Sequence, residues 1–148
     1  MPLGPRGLRM DDNITRVTTL FVYGTLLRGA PNHGRYCIDA LTIEPASTAG
    51  RLYDLLGGFP CMVNSVLGTT YGEAMTFPDI DETLARLDVL EGYRPDSPGR
   101  SLFLRRVQTV TLLESGETVP AYCYRWRGLL PEGAVHIPSG RWSRRQRR

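Results

Sequence analysis

The chain is predicted to fold as a strand-dominated α+β domain, a small barrel or strongly curved sheet carrying one or two helices. Three observations predict it. Most of the apolar runs are short, rich in β-branched and aromatic residues, and bounded by glycine or proline. Only one segment has a clear helical period, between Asp79 and Glu91. Glycine (16) and proline (11) are frequent in 148 residues, which calls for many turns. That length suits one domain with an adequate core.

In order, Thr15 to Tyr23 reads as a strand ending in a buried stretch, and Gly24-Thr25-Leu26 as the loop after it. Pro31 to Ala40 holds a short helix at best. Ser47 to Leu55 reads as one strand closed by Gly57-Gly58, and Phe59-Pro60 leads to an extended piece at Met62-Val63. Thr69 to Phe77 is a further strand in which Gly72 predicts a bulge. Phe103 to Leu113 and Thr118 to Trp126 alternate as hairpin partners about the turn Ser115-Gly116-Glu117. Residues 1–14 read as a disordered leader without a signal peptide's hydrophobic stretch, 15–138 as the domain, and 139–148 as a disordered arginine-rich tail.

Charge needs to be read by region. All 18 basic residues are arginine, and there is no lysine, so Schiff-base catalysis is excluded. Five arginines fall in the last eight residues; between Val17 and Gly140 there are 10 against 13 acids, a net of −3. The basic character thus belongs to the ends. A solvated end is favoured there over a nucleic-acid contact. Cys37, Cys61 and Cys123 are odd in number and lack C-x-x-C spacing, which argues against disulfides and structural zinc and for a reducing, cytoplasmic setting. His33 and His136 are too few and too far apart for a metal site, and no membrane-length apolar run occurs. No phosphate-loop or dinucleotide motif is present, and no cofactor is expected.

The helix carries the first candidate for chemistry. Asp79 suits its N-cap with Glu82 three residues on, and Gly92 and Pro95 supply its stop. At about 100° per residue, with Leu84 as zero, Ile80 and Leu87 lie at about −40° and −60°, and Glu91 at about −20°. Glu91 is therefore an acid on the apolar face, whereas Asp88, at about +40°, flanks it as a hydrogen-bonding acid. Desolvation and the helix C-terminus both raise the pKa of such a carboxyl, as a general acid/base near neutrality requires. Fraying at Gly92 or pairing with an arginine would remove that role. The second candidate is the Gly24 loop, where backbone N–H groups beyond a strand form an anion cradle.

Phe21-Val22-Tyr23-Gly24-Thr25-Leu26-Leu27-Arg28-Gly29 resembles the Y-G-[ST]-L-x-x-G loop of the γ-glutamylcyclotransferase-like family, with its plant avirulence-induced and γ-glutamylamine branches. Leu87-Asp88-Val89-Leu90-Glu91-Gly92-Tyr93 is similar to that family's L-D-x-x-E-G-Y segment. Phe103-Leu104-Arg105 and Ala121-Tyr122-Cys123-Tyr124 resemble its Y-x-R and A-x-x-Y strands, with Phe103 where tyrosine is common. The resemblance implies a small mixed β-barrel with flanking helices. It also implies closure of a γ-glutamyl amide to 5-oxoproline by its own α-amine, with Glu91 as acid/base. Tyr23, Gly24, Thr25, Leu26 and Tyr124 would bind the substrate, the loop holding either the oxyanion or the α-carboxylate. Arg28 or Arg35 is a further candidate for a substrate carboxylate. A non-catalytic ligand-binding or stress-response module on the same fold is the alternative.

Overall fold

A computed structural model describes residues 16–55 and 58–143. The predicted leader at 1–14 and the end of the tail, 144–148, lie outside them. The elements are β1 (Thr19–Val22), α1 (His33–Tyr36), β2 (Thr42–Ala49), β3 (Arg51–Leu55), β4 (Phe59–Val63), β5 (Thr69–Thr76), α2 (Ile80–Glu91), β6 (Phe103–Leu112), β7 (Thr118–Trp126) and β8 (Val135–His136). Five strands close a barrel in the order β1-β5-β2-β6-β7, and the remaining three form a sheet ordered β4-β3-β8. Antiparallel pairings run round the barrel until β1 meets β7 in parallel, Leu20 opposite Tyr122. This is the mixed barrel with flanking helices that the resemblance implies. No helix among the described residues is long and apolar enough to cross a membrane.

The alternating runs fold as pattern dictates. β6 and β7 pair from Phe103–Trp126 to Thr111–Thr118, and Gly116 takes a φ of 78° in the turn between them. α2 begins at Asp79, whose carboxylate accepts the Glu82 N–H at 3.2 Å. It ends at Gly92, in the left-handed region at φ 67°. Its apolar face buries Ile80, Leu84 and Leu87 in the core that also holds Leu20, Val22 and Phe103.

Three expectations are corrected. Ser47 to Leu55 is two strands, not one: β2 lies in the barrel and β3 in the second sheet, with the break at Gly50. A Cβ at Gly50 would come within 2.7 Å of the Met62 side chain, so the crossing from sheet to sheet needs glycine. Gly72 is no bulge, since it pairs in unbroken register with Ala46. It is there because a Cβ would strike the Val22 carbonyl oxygen on the neighbouring strand. The expected tail from residue 139 starts too early. The Tyr71 N–H donates to the Gly140 carbonyl at 2.8 Å, and the Arg141 guanidinium lies 4.0 Å from the Tyr71 ring centroid. Trp142 is buried against the core with Phe21, Leu52 and Ile137.

Candidate active site

β1 is buried along Leu20, Phe21 and Val22, so the chain leaves the barrel floor at Tyr23. The Tyr23 hydroxyl donates to the Tyr124 carbonyl at 2.7 Å and accepts the Met62 N–H at 3.1 Å. It thereby pins β1 to both β7 and β4. Gly24 follows with its missing side chain facing Pro60, whose ring occupies the place a Cβ would take. The loop is thus seated on β4. Its turn is closed by the Leu27 N–H on the Gly24 carbonyl at 3.0 Å. Asn32 clamps it from the far side: its backbone N–H reaches the Thr25 carbonyl at 2.8 Å and its side-chain amide the Thr25 hydroxyl at 3.0 Å. His33 Nδ1 lies 3.1 Å from the Leu26 carbonyl. With the carbonyls so engaged, the N–H groups of Gly24, Thr25 and Leu26 have no acceptor among the described residues.

α2 brings two acids to the same place and treats them differently. Asp88 is buried; it accepts the Tyr124 hydroxyl at 2.7 Å and pairs with Arg105 at 2.6 Å. It is a satisfied structural acid, as its flanking angle predicts. Burial, and then the bond to Asp88, hold the Tyr124 phenol far above its ordinary value. Glu91, one turn on, has neither a hydrogen bond nor an ion pair among the described residues. Burial pushes its carboxyl from 4.5 up to about 7. Tyr23 registers its proximity: the phenol is held well above 10 by burial first and by the charge of Glu91 second.

Glu91, Tyr124, Asn32 and the loop at Gly24 line one cavity of about 280 Å³, close to the lower limit of small-molecule sites. All six residues named from sequence line it: Tyr23, Gly24, Thr25, Leu26, Glu91 and Tyr124. Arg28 and Arg35 do not; both are exposed. Sequence reasoning missed Asn32, Phe59, Pro60, Leu90 and Leu102, which complete the wall. Their only local signal was the aromatic-proline step at Phe59-Pro60 beside a glycine pair. Phe103 lines the cavity with a bare ring that stacks edge-on to Trp126 at 5.4 Å. The three cysteines are buried and unpaired, with thiols pushed by burial to about 12, so none is a nucleophile at neutral pH. Among the described residues no group of three or more His, Cys, Asp or Glu side chains is placed to hold a metal ion.

What the arrangement can do is limited and specific. It offers donors for an oxyanion or carboxylate, a carboxyl whose proton affinity burial raises toward neutrality, and a largely apolar wall.

Comparison with known proteins follows the same lines. The family described as "Gamma-glutamyl cyclotransferase, AIG2-like" matches residues 20–144. Over 108 residues the chain is 38% identical to γ-L-glutamyl-butirosin B γ-glutamyl cyclotransferase of Niallia circulans, covering 71% of this chain and 64% of that protein. It therefore spans just under two thirds of that relative. A Methanocaldococcus jannaschii protein, provisionally named a γ-glutamylcyclotransferase, is 32% identical over 107 residues, covering 71% of this chain and 81% of its own. The crystal structure of an AIG2-like protein from Mus musculus superposes with a TM-score of 0.67 at 24% identity, over 86% of this chain and 89% of that one. At that identity the likeness is one of fold. An Arabidopsis thaliana protein solved in solution gives 0.61 at 26%, over 88% and 72%.

Proposed function

The chain belongs to the γ-glutamyl cyclotransferase, AIG2-like family, and on that premise we propose that it closes a γ-glutamyl amide into 5-oxoproline with Glu91 as general acid/base. The observation that carries the reading is the pairing, in one cavity, of an unpartnered carboxyl near neutral pKa with three unused backbone donors. The substrate's α-nitrogen attacks its own γ-carbonyl carbon. That new C–N bond closes the five-membered ring, and the bond to the amine partner breaks. The α-nitrogen gives up two protons on becoming the lactam N–H. The first leaves the α-ammonium to solvent and frees the attacking lone pair. The second passes to Glu91 and from it to the departing nitrogen, which leaves as the neutral amine and is protonated by water, so one carboxyl serves as base and then acid. No covalent enzyme intermediate is required; the cavity's work is to hold the chain folded for attack. The N–H groups of Gly24, Thr25 and Leu26 hold the developing oxyanion or the α-carboxylate, with Tyr124 forming the wall between the loop and α2. Reaction requires no cofactor, and the unpaired thiols favour a reducing, cytoplasmic setting.

The test is 5-oxoproline release from a set of γ-glutamyl amides by wild type and Glu91→Gln. Loss of roughly 100-fold or more in kcat in a folded variant supports the assignment. Equal release from both proteins refutes the role of Glu91. Binding without release by the wild type would favour a non-catalytic module.

A further inference from the structure

The cavity has a floor and a mouth of different character. Tyr23, Gly24, Leu26 and Tyr124 are buried and form the floor, beside the free backbone donors. The mouth is formed by less buried residues. Thr25 and Asn32 among them are already bonded to each other. Phe59, Leu90 and Leu102 are their apolar members, and Leu102 is 49% exposed although it lines a ligand-sized cavity. Glu91 is the one charged side chain among the described lining residues.

We infer that the amine released from this site carries no carboxylate and presents an apolar group to Phe59, Leu90 and Leu102. The inference rests on the cyclotransferase reading, which puts the glutamyl moiety on the floor and the leaving group at the mouth. Charge complementarity decides the class. A γ-glutamyl amino acid or peptide would bring a carboxylate to a mouth whose nearest charge is the carboxyl of Glu91, and no arginine of the described residues lines the cavity to receive it. An apolar amine instead covers a leucine left half open, and the repulsion of the carboxylate supplies discrimination that the hydrophobic contact alone would not.

Three compounds isolate the two halves of the inference: the γ-glutamyl amides of phenethylamine and ethylamine, and γ-glutamyl-phenylalanine. The first and third differ only by a carboxylate, the first and second only by a ring. The readouts are kcat/KM for 5-oxoproline release by the full chain, and calorimetric affinity of the wild-type chain, with Glu91 intact, for the same three compounds lacking the α-amine, which cannot cyclise. The phenethylamide is expected to lead both others by roughly tenfold or more in each. Leu102→Arg, a change at a half-exposed position, should raise γ-glutamyl-phenylalanine by roughly tenfold relative to the phenethylamide. No turnover of any compound, with the affinity ranking intact, would sink the cyclotransferase reading and leave this one standing. A ranking that is flat or reversed in affinity, or no binding at all, overturns the inference.

Discussion

Replacing Glu91 by glutamine should stabilise the protein in a pH-dependent way. The carboxyl is displaced by burial from 4.5 to about 7. A tenfold change in proton affinity is worth about 1.4 kcal/mol, so the displacement amounts to about 3 kcal/mol. Its sign follows from which state holds the proton. Below pH 4.5 Glu91 is protonated both folded and unfolded, and the folded state bears no charge penalty. As pH rises from 4.5 to 7 the unfolded chain releases its proton while the folded one retains it, so stability falls. Above 7 the full penalty is present. Glutamine is neutral throughout and keeps the shape. Urea unfolding of both proteins from pH 4.5 to 8.5 should therefore start nearly coincident and diverge, with Glu91→Gln more stable by about 3 kcal/mol at pH 8. For a domain of this size that is a Tm difference of roughly 6–12 °C. Parallel curves would refute the reasoning, for they would mean that Glu91 titrates normally and is not tuned for proton transfer.

Other perturbations test the frame around the site. Gly72→Ala forces a methyl against the Val22 carbonyl oxygen and should cost about 2–3 kcal/mol by denaturant unfolding. Arg105→Met leaves Asp88 with only the Tyr124 hydroxyl. Since the pair is partly exposed, at 24% and 12% of the side chains, the expected loss is about 2 kcal/mol, and Asp88→Asn in the same chain should recover part of it in a double-mutant cycle. Trp142→Ala should cost about 3 kcal/mol through the cavity it leaves. Trp142→Phe should cost less than about 1 kcal/mol, because the indole N–H it removes is buried without a partner among the described residues.

Much of the site was legible because its two parts are local. The spacing that set Glu91 on the apolar face of its helix depends only on the neighbouring turns, and Asp79 and Gly92 fix where that helix starts and stops. The break at Gly24 is equally a feature of consecutive residues. What stayed hidden depends on distant contacts. Gly50 looks like any strand glycine until Met62 is placed beside it. The Asp88–Arg105–Tyr124 network joins residues 17 and 36 apart, and Pro60 meets Gly24 only through the second sheet. Trp142 was concealed differently: the arginines around it gave the segment the composition of a solvated tail, while its buried indole, with Gly140 and Arg141 held against Tyr71, anchored it to the core.

Hydrogen bonding supports the proposed place of the ligand. Buried polar groups in folded proteins are almost always paired. Around this cavity most are paired with each other. The Tyr23 hydroxyl serves Tyr124 and Met62, Tyr124 and Arg105 serve Asp88, and Asn32 serves Thr25. Each pairing takes a group out of contention as a ligand contact, and each is a strut that stiffens the wall. Among the described residues, the groups left without a partner include the carboxyl of Glu91 and the N–H groups of Gly24, Thr25 and Leu26. One is a proton acceptor near neutrality and the others are fixed donors, brought together from an α2 end and a β1 end by closure of the barrel between β1 and β7. A ligand that satisfies both must carry a donor beside an oxygen bearing full or developing negative charge. An α-amine folded back on its own γ-carbonyl has that pairing, and so has the α-amine beside its own α-carboxylate, which are the two roles open to the donors of the loop. On the proposed cyclotransferase reading, those unpaired groups would anchor the amino-acid end of the substrate, and the cavity would favour ring closure by holding the α-amine against the γ-carbonyl.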